Sequence, residues 1–277
     1  MVALKSRLKN YRPLVLGYYR VLFWFEAFGV QLLKLKSALR GIPFVIQDYV
    51  HLKQQNAAVG TPWRVGFTMP CFHDKYDFSG VATGDYFHQD LLVAQKIFTA
   101  QPHKHVDVGS RVDGFVAHVA SFRTIEVFDI RPLNTAPKNI VFKQANLMEL
   151  PDSLYNYCDS LSCLHAIEHF GLGRYGDPID IFGYQKGFAS LCKMLKEGGT
   201  LYFSVPIGSQ RIEFNAHRVF AIQTILDMAN PTLKLVDFSY VDDQGQLHEH
   251  PDLTPEAIAQ SFNLNYGCGI FEFRKIA

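Results

Sequence analysis

The sequence predicts an α/β fold built on a mostly parallel sheet, with an antiparallel strand pair at its C-terminal end. Three observations carry that prediction. From Gly84 onward, short apolar runs alternate with amphipathic stretches at the spacing of βαβ units. The last two apolar runs, Leu233–Val241 and Gly269–Lys275, have no strand–helix unit between them and are expected to pair as a hairpin with a long polar insertion. With 277 residues, 48% of them hydrophobic and only 19% charged, the chain can bury a full core, which excludes a disordered or fibrous protein.

Taken in order, the body opens with a helix over Gly84–Ala100. Its Phe87, Leu91, Ala94 and Phe98 recur at helical spacing, and Pro102 stops it. His105–Val108 is a short apolar strand, Asp113–Phe122 a helix, and Thr124–Asp129 and Ile140–Lys143 two further strands. Cys158–Leu164 is a strand of small and apolar residues. Phe182–Leu195 is an amphipathic helix stopped by Gly198-Gly199, Thr200–Val205 a strand ended by Pro206, and Val219–Ala229 a helix. In such a sheet, ligands bind at the carboxyl ends of the strands. The five cysteines are odd in number and form no CxxC pair, so neither a disulfide framework nor a zinc ribbon is expected.

The formal charge of +1 hides an asymmetry. Residues 1–40 carry eight basic side chains against one acid, Glu26, a net +7, which leaves −6 on the remainder. The acidic body excludes nucleic acid as a partner, whereas the basic head suits an anionic surface. Pro13–Leu33 is long enough to cross a bilayer at ~1.5 Å per residue, but Arg20 and Glu26 interrupt it. No small-x-small site follows Leu33, so a cleavable leader is not expected. Two readings remain: a helix in the membrane interface, rich in Phe23, Trp24, Phe25 and Phe28, or one packed on protein. Residues 41–83, rich in Pro, Gly and aromatics, are expected to be an irregular covering segment, and residues 84–277 the functional domain.

The chemistry starts at HVDVGSRVDGF, residues 105–115. Asp107 and Gly109 stand where a strand turns into a helix and a backbone approaches a cofactor closely. Asp129, 22 residues after Asp107, ends the next strand, where an acid accepts ribose hydroxyls. A dinucleotide loop requires G-x-G-x-x-G, but Arg111 takes the second glycine's place and Asp113 would repel a diphosphate. Nicotinamide dinucleotides are therefore disfavoured. S-adenosylmethionine, a cation without phosphate, suits this acidic loop.

These residues resemble class I S-adenosylmethionine-dependent methyltransferases. The resemblance rests on Asp107-Val108-Gly109-Ser110, Asp129, CLHAIEHFGLGRYGD and LKEGGTLYFSVP. The strings DVGSRVDGF, EHFGLGRYGDPID, SVPIG and EFNAHRVF are similar to one domain-of-unknown-function branch, associated with bacterial surface-polysaccharide genes. The resemblance covers about residues 84–242. It implies a Rossmann-like, seven-stranded sheet ending in a reversed hairpin. It also implies that Asp107, Gly109 and Ser110 line the methionine end, Asp129 holds the ribose, and Ile130 lies against the adenine. Asn146 would take the adenine-side position and His165 a place beside the sulfonium. Arg111 departs from the pattern.

Residues 164–178, LHAIEHFGLGRYGDP, are the densest chemical segment. Methyl transfer needs proximity and, for a hydroxyl acceptor, a base. His169 is the expected base, with Glu168 orienting it. Arg174 is expected to hold an anionic acceptor and Tyr175 to stack on a sugar. Asp177, His217 and Arg218 are candidate acceptor contacts, although Asp177 also suits a loop brace and His217 a buried structural role. His88, Gln89 and Asp90 are weaker candidates to cap the cofactor site. The reading that results is methyl transfer to a sugar or glycolipid hydroxyl, in the cytoplasm and peripherally at the inner membrane face. Two others stand beside it: a non-catalytic binding module, favoured by Arg111, and a metal hydrolase using the H-x-x-E-H string His165–His169, which would require one continuous helix.

Overall fold

The computed structural model describes residues 21–276 except Phe23. The chain forms two compact units, residues 1–80 and 81–277. In the first unit, residues 24–27 are helical, and the chain turns at Phe28-Gly29 before α1 (Leu32–Val59). The basic stretch Lys5–Arg20 lies outside the described residues. Helix α1 corrects two expectations, because it runs through the boundary placed at residue 40 and into the segment read as irregular. Gly41 and Pro43 had the look of a stop. However, Pro43 forfeits one ladder bond of a 28-residue helix. Gly41 is buried where a Cβ would overlap the Phe72 carbonyl oxygen.

The second unit is an eight-stranded sheet with helices on both faces. Its strands are β1 (His105–Val108), β2 (Ile125–Asp129), β3 (Ile140–Gln144), β4 (Cys158–Leu164), β5 (Leu195–Ile207), β8 (Leu233–Val241), β9 (Leu247–Glu249) and β10 (Gly267–Lys275). Their spatial order is β3-β2-β1-β4-β5-β10-β8-β9. Strands β1 to β5 are parallel, and β10 inserts antiparallel between β5 and β8. The predicted fold class is the one found, with the short β9 as an added edge strand. A separate hairpin, β6 (Arg211–Glu213) with β7 (His217–Val219), was not expected.

Period-two alternation builds the core. Leu161, Cys163, Leu201, Phe203, Phe271 and Phe273 face one layer with α4 (Gly183–Met194) and α5 (Ile222–Ala229). Ile125, Val127, Leu164, Tyr202 and Ile270 face the other with α2 (Asp85–Ala100). Lys96 on α2 ties that helix to Asp237 on β8 (2.6 Å) and Glu272 on β10 (2.8 Å). The helix expected over residues 113–122 begins instead as a π-helical turn, Val112–Val116, and only then becomes α3 (Ala117–Ala120). The reason is local. Gly114 is non-helical, and a Cβ there would come within 2.6 Å of the buried Asp90 carboxylate.

Candidate functional site

The carboxyl ends of β1 to β4 open into a cleft of about 700 Å³, within the range of small-molecule and cofactor sites. Gly109, Ser110, Asp129, Ile130, Asn146, His165, Glu168, His169, Arg174, Tyr175, Asp177 and His217 all line it. Residues from four separate loops thus share one cavity. Asp107 and Arg218, also expected there, do not line it, and His88, Gln89 and Asp90 do not cap it.

Asp107 lies fully buried beneath the cleft floor. Its carboxylate accepts from the Ser110 backbone N–H (3.0 Å), the Ser110 hydroxyl (2.6 Å) and the Ser162 hydroxyl (2.5 Å). Ser110 Oγ in turn accepts from the Leu164 N–H at 3.1 Å, so the first loop is stitched to the end of β4. Burial raises Asp107 to about 6, against the opposing pull of the two serines. Asp107 therefore shapes the loop. Gly109 has φ 72°, and a Cβ there would stand 2.9 Å from the Ala166 Cβ, closing the floor. Arg111 turns to its own loop, with Nη2 3.0 Å from Asp113 and its guanidinium 5.0 Å from the Tyr86 ring. The cleft remains open with Arg111 in place.

Asp129 ends β2 and receives three bonds from Arg131: backbone N (2.8 Å), Nε (3.1 Å) and Nη2 (2.8 Å). The Arg131 guanidinium also lies 4.2 Å from the centre of the Tyr175 ring. Asn146 caps its own turn, accepting from the Met148 N–H at 3.1 Å.

The turn after β4 holds the strongest electrostatics. His165 sits in the left-handed region, φ 49°, an unfavourable conformation for a residue with a Cβ. Its Nδ1 is 3.1 Å from Glu168 Oε1, and His169 Nε2 is 3.7 Å from the same oxygen. Burial alone would lower the His165 imidazole, but Cys268 and Glu168 outweigh it and hold the ring well above its ordinary value. Burial alone would raise Glu168, and His165 reverses that direction. The two are a buried histidine–carboxylate pair, each holding the other toward its charged form. His165 Nε2 and Glu168 Oε2 are buried without a hydrogen-bond partner. His169 Nδ1 donates to the Ala216 carbonyl at 2.7 Å, which leaves Nε2 as an acceptor. Burial, reinforced by Arg174, lowers its pKa.

The HAIEH string is not one helix. Residues 167–169 form a single 3-10 turn after the strand, so the two histidines do not share a helical face. Among the described residues, the only group of three or more potential ligands within 4.8 Å of one another is His73, Asp74 and Asp77, in the other unit.

Arg174 Nη1 donates to the same Ala216 carbonyl at 2.8 Å, and Tyr175 packs edge-on to His169. Asp177 proves a brace, since its carboxylate accepts from the N–H groups of Gly171, Gly173 and Tyr175. Arg218 is 3% exposed and donates to the carbonyls of Glu168, Phe170, Asp180 and Ile181, which anchors the loop from behind. His217 lines the cleft with its ring against Tyr266, and burial lowers its pKa. Gln89 and Asp90 are buried in the core, where Gln89 accepts from Ser204. Tyr86, Arg131 and Tyr266 are among the lining residues that sequence reasoning missed. For Arg131 the signal was available, since DIRP sets a cation two residues after Asp129.

The protein family described as "Caenorhabditis protein of unknown function, DUF268" matches residues 120–254. No curated protein matches the sequence. Among solved structures, the [4+2]-cyclase SpnF is similar in fold, with a TM-score of 0.50 and 13% identity over 87% of this chain and 97% of that one. The N-methyltransferase NodS from Bradyrhizobium japonicum WM9 has a TM-score of 0.49 at 13% identity, covering 71% and 100%. The 1,6-didemethyltoxoflavin-N1-methyltransferase from Burkholderia thailandensis, solved with its substrate and S-adenosylhomocysteine, has 0.47 at 14%, covering 68% and 79%. At these identities the likeness is one of fold.

Proposed function

We propose that this chain is an S-adenosylmethionine-dependent methyltransferase acting on a hydroxyl of a sugar or glycolipid. One observation carries the reading: a single cleft brings together the Gly109–Ser110 turn, the Asp129 carboxylate and a histidine whose tautomer is fixed for proton acceptance. The residues present fit the cofactor. A Cβ at Gly109 would intrude on the floor, and Glu168 Oε2 is a buried, unpartnered acceptor beside the cleft. Ser110 and Gly109 would hold the amino-acid end, Asp129 the ribose, and Ile130 and Asn146 the adenine. When bound, S-adenosylmethionine supplies the methyl group.

The chain's own part is positioning and proton removal. His169 Nε2 takes the acceptor hydroxyl's proton as the oxygen attacks. The Ala216 carbonyl holds the ring in place, and Glu168 stabilises the imidazolium that forms. Tyr175 offers a flat face to a sugar and Arg174 a guanidinium. The acceptor's setting in surface-polysaccharide synthesis at the cytoplasmic membrane face rests on the resemblance and on the basic, apolar head.

The test is methyl transfer from labelled S-adenosylmethionine to a panel of sugars and lipid-linked sugars. His169→Ala is expected to lower the rate about 10²–10⁴-fold, the usual weight of a general base, while cofactor affinity is kept. Transfer that persists in His169→Ala would remove His169 from the base role.

A further inference from the structure

We infer that Arg131 and Arg174, both packed against the Tyr175 ring, form a subsite for a carboxylate or phosphate carried by the acceptor, and that Arg131 is released to it when a ligand's ribose takes Asp129. The inference rests on the cofactor reading above and names the class of acceptor.

The argument is a count of partners. A carboxylate offers about four acceptor positions, and Arg131 already fills three of them at Asp129. The two hydroxyls of a ribose need two, so at least one guanidinium bond must yield. The backbone N–H of Arg131 can stay, because it holds the turn. The side chain is free to leave, being 48% exposed.

Its destination is set by what lies beside it. The Arg131 guanidinium is 4.2 Å from the Tyr175 ring centre and the Arg174 guanidinium 5.2 Å from the same ring. Arg174 has no carboxylate partner among the described residues, and its Nη1 contacts are the Ala216 carbonyl and His169. The other acids of the cleft face elsewhere: Asp113 pairs with Arg111, Asp177 takes three backbone N–H groups, and Glu168 is buried with its Oε1 on His165. Once Asp129 turns to a ribose, two guanidiniums share one aromatic ring with no carboxylate bonded to either. That corner would take an oxyanion through paired N–H donors. Tyr175 also touches His169 edge-on, so the anion would be held beside the expected base.

Such a device couples the two ligands. An anion on Arg131 and Arg174 draws the side chain from Asp129 and tightens ribose binding, and by linkage the ribose tightens the anion equally. The experiment is calorimetric titration of the full chain with S-adenosylhomocysteine, alone and with saturating glucuronate, glucose 1-phosphate or glucose, for wild type, Arg131→Ala and Arg174→Ala. The two charged sugars separate carboxylate from phosphate. Arg131→Ala alone should bind S-adenosylhomocysteine about fivefold more tightly than wild type, the scale of a half-exposed ion pair. A charged sugar should tighten wild-type binding by a similar factor and glucose should not. Both variants should lose that response. Wild-type affinity unmoved by either charged sugar, or Arg131→Ala binding no tighter than wild type, overturns the inference while the cofactor reading stands. Folded protein that never binds S-adenosylhomocysteine overturns both.

Discussion

At the scale of single residues, Asp107 shows how a buried acid can build the first loop of the cleft without lining the cleft itself. It satisfies the Ser110 N–H and two hydroxyls, and through Ser110 it fixes the start of the β4 turn. Losing such buried bonds costs about 1–3 kcal/mol each, not additively. Its folded-state value of about 6 lies above the ordinary 3.8. The stability it contributes is therefore fully present below 3.8 and is lost as pH rises through about 6. Asp107→Ala is expected to destabilise the protein by about 2–4 kcal/mol at pH 5, and by less at pH 8, in urea unfolding at both values. An equal cost at the two would contradict the assignment. The sequence marked Asp107 as functional because of where β1 ends. Spacing along a strand locates its end but does not say whether a carboxylate is consumed by neighbours such as Ser162, 55 residues away.

At the scale of elements, β1, β4 and β8 carry the bounds the apolar runs implied, and the expected antiparallel pairing of the last two long strands is found in β8 and β10, although β9 and a short helix, Pro255–Gln260, lie between them. Helix α1 and the β6–β7 hairpin were not legible. In α1, Gly41 is required by a passing carbonyl from residue 72, a non-local cause that local breaker rules read as a stop. For β6–β7, two three-residue strands are too short to show a period. Arg218 followed the same pattern, since a basic residue next to a histidine suggested ligand binding and four carbonyls claimed it. The edge of β2 offers an element-scale test. Burial would raise Glu126, but Lys143, Tyr157 and Lys104 outweigh it and hold it at about 2, below its ordinary 4.5. Its stabilisation is present above 4.5 and is lost as pH falls toward about 2. Glu126→Gln should cost about 1–2 kcal/mol at pH 7, with the difference from wild type closing through that window in acid titrations. A difference that stays constant down to pH 2 would show that the charge is not the cause.

For the whole molecule, charge is divided as the sequence indicated, +7 on residues 1–40 against −6 on the rest. Helix α1 exposes Leu35, Leu39, Ile42 and Ile46 at helical spacing beside Lys34, Lys36 and Arg40. Among the described residues no helix is long and apolar enough to cross a membrane. An apolar stripe edged with lysine and arginine is suited to an anionic interface. Replacing Leu35, Leu39 and Ile42 with Ser is expected to weaken binding to phosphatidylglycerol vesicles about tenfold or more, as read by co-sedimentation. Unchanged binding would leave that helix for protein contacts. The second unit contains both core clusters and, among the described residues, the lining of the cleft.

On the proposed function, the cleft takes S-adenosylmethionine, with ribose contact and base chemistry assigned to different residues. Calorimetric titration of wild type, Asp129→Ala and His169→Ala with S-adenosylhomocysteine addresses it most directly. Saturable wild-type binding, lost at least about tenfold (~1.4 kcal/mol) in Asp129→Ala and retained in His169→Ala, is the predicted result. Equal losses in the two variants, or no binding by folded wild type, would contradict it.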